Sequence, residues 1–300
     1  MSDTPRKSTF SIVAADLETG EVGCAVQSKY FSVGSVVPWA WAGVGAVATQ
    51  AAGVAVYGRM ALEELQRGAT PEAALETVLA DDQGRETRQL GIVTADGRAA
   101  AFTGKECLNW AGHRTGPGFA VQGNILAGEA VVDEMVRAYT ATVGTLVERL
   151  VAALEAGQAA GGDKRGQQSA ALIVERAGGR AESREGIDRI CDLRVEDHPE
   201  PIVELRRLTG IWADWDAQRR ADVHYERGDA GAAADVLRAA TAGKESPMLL
   251  YNLACYESLA GRSEDAVAHL HRSIELDGSY RSLAADDPDF DPIRAELTKF

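Results

Sequence analysis

The sequence predicts an α+β domain, antiparallel sheet with helical layers, followed by a small all-helical domain. Two observations predict the first part. Between about 9 and 208, runs with strand character come in hairpins, and runs with helical spacing come in consecutive pairs. That order favours antiparallel pairing over strict βαβ alternation. A third observation predicts the second part. Beyond about 210 only helical spacing remains, and its pattern of small residues recurs after about 33 residues, near the 34 of tetratricopeptide repeats. Three hundred residues also fit about two domains. The reading is an N-terminal extension at 1–8, an α+β domain at 9–210 and a helical domain at 211–300.

Thr9–Asp16 and Glu21–Ser28 read as paired strands about the turn Leu17-Glu18-Thr19-Gly20. Residues 43–50, small and β-branched, read as a third, buried strand. From 54 to 67 the spacing turns helical, with Val54, Tyr57, Ala61, Leu62 and Leu65 on one face. Thr70-Pro71-Glu72 starts a second helix, with Thr70 as N-cap and Pro71 at the first helical position. Strands at 89–94 and 98–103 flank Ala95-Asp96-Gly97, a hairpin signal. A short strand at 118–122 precedes a loop at Gly123-Asn124, and helices follow at 128–140 and 143–156. The glycine-rich polar loop 161–168 feeds a strand at 169–175; a last strand covers 192–195 and a helix 199–208. In the helical part, 247–276 reads as a helix pair turning at Gly261, with Ala221, Gly228, Ala233, Leu237 and Ala240 an earlier partial copy. Asp286-Asp287-Pro288-Asp289-Phe290 then turns the chain into a short terminal helix.

The hydrophobic share of 45% and the charged share of 25% are ordinary for a soluble globular chain. A formal net charge of −14 argues against nucleic-acid or anionic-membrane partners. Residues 211–300 carry 17 acidic and 10 basic side chains, so the helical part is the more acidic per residue. Cys24, Cys107, Cys191 and Cys255 are far apart, make no CxxC pair and have no zinc spacing with histidine. Inert thiols, no metal and no cofactor are expected. The polar start, Met1 to Ser8, lacks the apolar stretch of a signal peptide, and no run reaches the ~18 apolar residues of a membrane span. A cytoplasmic location is the expectation. Val36, Val37, Trp39 and Trp41 form an apolar run that is either core or the face of a homo-oligomer.

Thr9 is the first candidate for chemistry. A threonine at the head of a strand becomes a self-contained catalyst if the preceding bond is cut, its hydroxyl the nucleophile and its freed α-amine the base. Such an amine titrates near pH 7.7–8.0, so much of it is neutral at working pH. The plainer reading is a frayed terminus leading into an edge strand. Asn124, after Gly123, is a candidate oxyanion donor, its side-chain amide aimed at a developing negative charge. A turn residue or helix cap is the alternative. Lys29, just past the second strand, could lower the pKa of a nearby ammonium. The loop 161–168 concentrates Asp163, Lys164, Arg165 and Gln168, yet lacks Walker spacing and opens a strand, not a helix. His113, read as a loop residue, and His198 are the histidines nearest these segments.

Five ordered segments carry a resemblance: TFSIVAADLETGEVGCAVQSKYFSVG from 9, VVPWAWAGVGAVATQA from 36, GFAVQGNILAG from 118, GGDKRGQQSAALIV from 161 and DLRVEDHPEPIVELRRL from 192. Over about 8–208 the chain resembles the bacterial family known as domain of unknown function ten twenty-eight, placed among the N-terminal-nucleophile hydrolases. The resemblance implies a four-layer αββα sandwich of two antiparallel sheets, with Thr9 at the nucleophile position. It implies cleavage of an amide bond in a small substrate, with Ser28, Lys29, Thr49, Asn124 and 163–168 around the threonine. Some members carry a C-terminal helical domain, the place 211–300 occupies here, and a protein partner for it is an expectation. Family members commonly begin Met-Thr-Phe, whereas eight residues precede Thr9 here, so a catalytic Thr9 requires cleavage of the Ser8–Thr9 bond. The alternative is a catalytically inactive ligand-binding fold whose helical module recruits a protein.

Overall fold

The computed structural model describes residues 9–179 and 187–297; the predicted extension 1–8 lies outside them. The chain divides into two units between Thr209 and Gly210.

The first unit holds two antiparallel sheets. One runs β10-β9-β2-β1-β8-β7 and the other β3-β4-β5-β6. In chain order the strands are β1 (Thr9–Asp16), β2 (Glu21–Ser28), β3 (Pro38–Trp41), β4 (Gly45–Ala51), β5 (Arg88–Thr94), β6 (Ala99–Thr103), β7 (Trp110–Gly116), β8 (Phe119–Leu126), β9 (Ser169–Arg176) and β10 (Arg189–Val195). Helices α1 (Val56–Gln66) and α2 (Pro71–Leu79) pack on the smaller sheet, and α3 (Ala130–Ala141) and α4 (Leu146–Ala159) on the larger. Strand alternation assigns the faces. Val13, Cys24 and Val26 of the larger sheet share a core with Ala46, Ala48 and Val93 of the smaller. The opposite face of β4 and β5, with Val47, Leu90 and Ile92, packs on Leu62 and Leu65 of α1 and Leu75 and Leu79 of α2. Strands covered on both faces have no polar side to show, which is why β1, β2, β8 and β9 are buried almost end to end.

Local chemistry sets the helix starts. Thr70 accepts a hydrogen bond from Ala73 N at the head of α2, with Pro71 following, as the sequence predicts. Thr145 and Glu148 close a reciprocal capping box on α4. Four expectations are corrected. Gly123 and Asn124 are not a loop; they lie inside β8, which runs on to Leu126. His113 lies on β7, not in a loop, because β7 completes a hairpin with β8. Residues 38–41 form a short extra strand, and the indole of Trp39 there sits where a Cβ on Gly58 of α1 would fall, 2.1 Å from the ring. Trp39 and Trp41 pack against the core shared with α1 and α2. Finally, the helix expected at 199–208 is the start of α5 (Pro201–Glu226), a 26-residue helix.

One ion pair ties the turn after α2 to β5. Arg88 Nε lies 2.7 Å from Asp82 Oδ2, and Gly84 N donates to Asp82 Oδ1. Both side chains are largely covered, and the Arg88 guanidinium holds the Asp82 carboxyl down at about 2. A depressed folded pKa contributes stability above the unfolded value, near 3.9, that is lost as pH falls through the folded one. Asp82→Asn should therefore cost about 1–2 kcal/mol at pH 7 by urea titration, and the gap should close between about pH 4 and 2.

The second unit is helical: the rest of α5, then α6 (Ala230–Thr241), α7 (Pro247–Leu259), α8 (Ser263–Leu276), α9 (Tyr280–Asp286) and the short α10 (Arg294–Leu297). Gly261 turns α7 into α8 at φ 74°, a conformation that suits glycine. Ala221, Ala233, Leu237 and Leu253 form one core, and Ala254, Ala266 and Leu270 belong to the next. Among the described residues no helix is long and apolar enough to cross a membrane.

Candidate functional site

Thr9 opens β1, an inner strand with β2 on one side and β8 on the other. Register places Ser28 opposite it on β2 and Asn124 opposite it on β8, and Ser28 in turn faces Ser169 on β9. Side chains paired across a ladder share a face. One end of the larger sheet thus carries a row of four polar residues, Asn124, Thr9, Ser28 and Ser169, each at most 1% exposed. The hydroxyls of Thr9 and Ser28 are 3.1 Å apart.

The row continues into a polar layer between the sheets. Gln89 of β5 is its hub. Its Oε1 accepts from Asn124 Nδ2 and from Gln50 Nε2, each at 2.9 Å. Its Nε2 donates to Gly123 O at 2.8 Å and to Thr103 Oγ1 at 3.0 Å. Gln50 Nε2 also reaches Thr9 O at 3.4 Å, while Gln122 Nε2 donates to Ser11 Oγ and Ser11 Oγ to Gln50 Oε1, both at 2.6 Å. Thr103 Oγ1 meets His113 Nδ1 at 2.9 Å. Burial, with Arg114 nearby, pushes the His113 pKa down and favours the neutral ring. Neutral amides and hydroxyls fix their own geometry here without bringing a charge into the layer.

Two residues beside this layer have backbones that side chains rarely adopt. Ile125, after Asn124, has φ 53°, and Ala51, after Gln50, has φ 65°. A β-branched residue there is a true outlier, costing on the order of 1–3 kcal/mol, and such outliers gather at functional sites. The turn at Ile125 directs its carbonyl to Lys164 N at 3.0 Å and its own N–H to Leu108 O.

The loop 161–168 is tied to this same end of the sheet. Asp163, its side chain fully covered, accepts from Lys29 N at 3.0 Å and from Arg165 N at 2.8 Å. Gln168 N donates to Ser28 O at 3.1 Å, and its side-chain amide to Asp197 Oδ1. Leu126 and Asp163 form an isolated bridge. Thr9, Ser28, Asn124, Asp163 and Gln168 are thereby gathered, with Asp163 and Gln168 anchoring the loop to the strand ends. Lys29 and Thr49 sit otherwise. The exposed Lys29 ammonium donates to Gln167 O at 3.0 Å. Thr49 Oγ1 donates to Val54 O, since alternation along β4 sends its neighbour Gln50 into the polar layer instead. Lys164 and Arg165 are exposed, the latter's guanidinium against Asp163. His198 accepts from Glu200 N in its own loop. The cysteines are free, three of them buried, and burial pushes the Cys107 thiol up to about 11. Sequence reasoning missed Gln50, Gln89, Gln122 and Ser11; the available signal was a single polar residue in each of several apolar strands.

Fold and site together define an α+β domain of two antiparallel sheets enclosing a polar layer. The chain belongs to the family described as a family of unknown function, DUF1028, whose model matches residues 9–205. The crystal structure of protein SPO2555 from Silicibacter pomeroyi, of that family, is similar at 34% identity and a TM-score of 0.63, over 70% of this chain and 94% of that one. No curated protein matches the chain.

Proposed function

We propose that the first unit is an N-terminal-nucleophile amidohydrolase in which Thr9, freed by cleavage after Ser8, is nucleophile and base. One observation carries the reading: a buried threonine heads an inner strand, its hydroxyl 3.1 Å from one partner hydroxyl and its register position opposite a side-chain amide. The helix pairs packed on the two facing sheets support the reading, since that superfamily is layered αββα.

In this mechanism Thr9 Oγ1 attacks the amide carbonyl of the substrate and its proton passes to the freed α-amine. Ser28 Oγ, within reach of Thr9 Oγ1, orients the hydroxyl or relays that proton. Asn124, held by Gln89, offers its amide N–H to the oxyanion that develops. The α-ammonium then protonates the leaving amine, which departs as the C–N bond breaks. Water, deprotonated by the same α-amine, hydrolyses the resulting ester and restores Thr9. The substrate class is a small amide, with exposed Lys29, Lys164 and Arg165 favouring one that carries a carboxylate. The reaction calls on no cofactor. The helical unit is read as a tetratricopeptide-like module that engages a protein.

Intact-mass measurement of the purified full-length chain tests maturation directly. A mass lacking residues 1–8 is expected. Hydrolysis by a preparation whose chains all retain those residues would rule out the α-amine as base.

A further inference from the structure

The helical unit holds a cavity of about 370 Å³ beyond residue 205, where the family match ends. Asp222 and Tyr225, one turn apart near the end of α5, form one wall; Tyr251 and Tyr256 of α7 form another. Asp287 and Asp289, where the chain turns after α9, close it. This cavity differs from a solvated acidic patch in three respects.

Its walls are aromatic and fixed. Tyr251 and Tyr256 are buried, the Tyr225 and Tyr256 ring centroids are 5.2 Å apart, and Tyr251 meets Phe290 edge-on at 5.4 Å. Tyr225, 40% exposed, carries the aromatic wall out to solvent. Two carboxylates are also held in place by those rings: Tyr256 Oη donates to Asp222 Oδ1, and Tyr251 Oη to Asp287 Oδ2, each at 2.6 Å.

Third, the charge is left over. Among the described residues no lysine, arginine or histidine pairs with the carboxylate of Asp222, Asp287 or Asp289; Arg294 reaches Asp287 only at its backbone carbonyl, at 2.6 Å. In the same unit Asp214, Asp235, Glu245, Asp265 and Asp291 each have a basic partner. The carboxylate of half-buried Asp289 accepts no hydrogen bond from a described residue. Burial and the neighbouring Asp287 raise its pKa, the direction expected of an uncompensated carboxylate.

We propose that this cavity binds an organic cation, the guanidinium or primary ammonium head of a basic side chain on a peptide. Aromatic faces attract such a head through their quadrupole, and carboxylates take its N–H donors. A hard metal ion would gain nothing from the tyrosine rings that line the cavity. The inference is independent of Thr9 and its chemistry.

Calorimetric titration of the full-length chain at low ionic strength tests it, with the peptide acetyl-Ala-Arg-Ala-amide as probe. Binding with a Kd of about 1 mM or tighter is expected, weakening as salt is added. The citrulline counterpart has the same shape without the charge and should bind at least about tenfold more weakly. Putrescine serves as the free-amine arm. Tighter binding of the arginine peptide identifies a peptide side chain as the source; tighter binding of putrescine overturns the peptide assignment. Asp289→Asn and Tyr225→Leu should each weaken the arginine peptide by about tenfold. Asp289→Asn relieves like-charge repulsion, so its Tm should be unchanged or higher, which separates lost binding from lost folding. The proposal fails if citrulline binds as well as arginine, or if neither substitution matters. It also fails if Mn²⁺ or Zn²⁺ alone raises the Tm while the arginine peptide does not bind.

Discussion

Thr9→Ala should reduce amide hydrolysis by roughly 10³-fold or more, and Thr9→Ser should keep a measurable share of it. Removing a nucleophile leaves only what positioning and oxyanion stabilisation supply, hence the size of the loss. The serine variant keeps hydroxyl and α-amine, so it separates the chemistry from the threonine methyl. Release of primary amine from a panel of N-acyl amino acids and short peptide amides is the readout. Stability supplies the control. Thr9→Ala deletes one hydroxyl contact, worth about 1 kcal/mol, so its urea midpoint should move little while turnover collapses. The pH profile is a second signature. A base that titrates near 7.7–8.0 is inactive when protonated, so kcat/KM should fall as pH drops below about 7.5. A full rate in Thr9→Ala, or a profile flat down to pH 6, would remove the terminal threonine from the mechanism.

Why Thr9 could be read from the sequence and the polar layer could not has a physical basis. A hydroxyl at the head of an apolar, alternating run marks both the strand and its start, all from local information. Its pairing with β2 follows from the hairpin turn between them, whereas its pairing with β8 is long-range and was not legible. Asn124 was legible as a residue but not as part of a strand. Gly123 before it resembles a turn signal, whereas its role is spatial: a Cβ there would fall 2.4 Å from Leu126 Cδ1. The glutamines depend on long-range register. Whether Thr49 or Gln50 points into the layer is set by how β4 pairs with β3 and β5, and a one-residue slip would exchange them. The family resemblance pointed to Thr49; the pairing puts Gln50 beside Ser11 and Gln89. His113 went unassigned to a strand because Gly112 and Gly116 around it suggest a loop. In the helical unit, small residues every few positions showed helix pairing, yet the cavity depends on Asp287 and Asp289 returning to α7 and α5 from about 30 and 60 residues away, respectively.

Two buried glutamines on neighbouring pieces of sheet should respond to the same substitution with opposite sign. Gln89→Leu should destabilise the protein by about 2–4 kcal/mol, because the amides of Gln50 and Asn124 each lose a 2.9 Å acceptor, Gln50 keeping only longer contacts to Thr9 O and Gln122 O, and the Gly123 carbonyl loses a donor. Each such orphan costs about 1–3 kcal/mol in a dry interior. The same change should loosen Asn124 opposite Thr9, so turnover should fall beyond what the remaining folded fraction explains. Gln27 is just as buried, but neither atom of its amide meets a hydrogen-bond partner among the described residues. Gln27→Leu therefore gives up no bond and removes a desolvated amide, so its urea midpoint should hold or rise. Gln89→Glu sharpens the test through pH. A carboxyl at the hub can still accept, but once ionised it donates to nothing, and burial raises its folded pKa above the unfolded value near 4.3. A raised folded pKa means stability that is present at low pH and lost as pH climbs, so this variant should be firmer at pH 5 than at pH 8. If Gln89→Leu and Gln27→Leu shift the midpoint alike, the layer between the sheets is packing rather than a network, and Asn124 has no fixed aim.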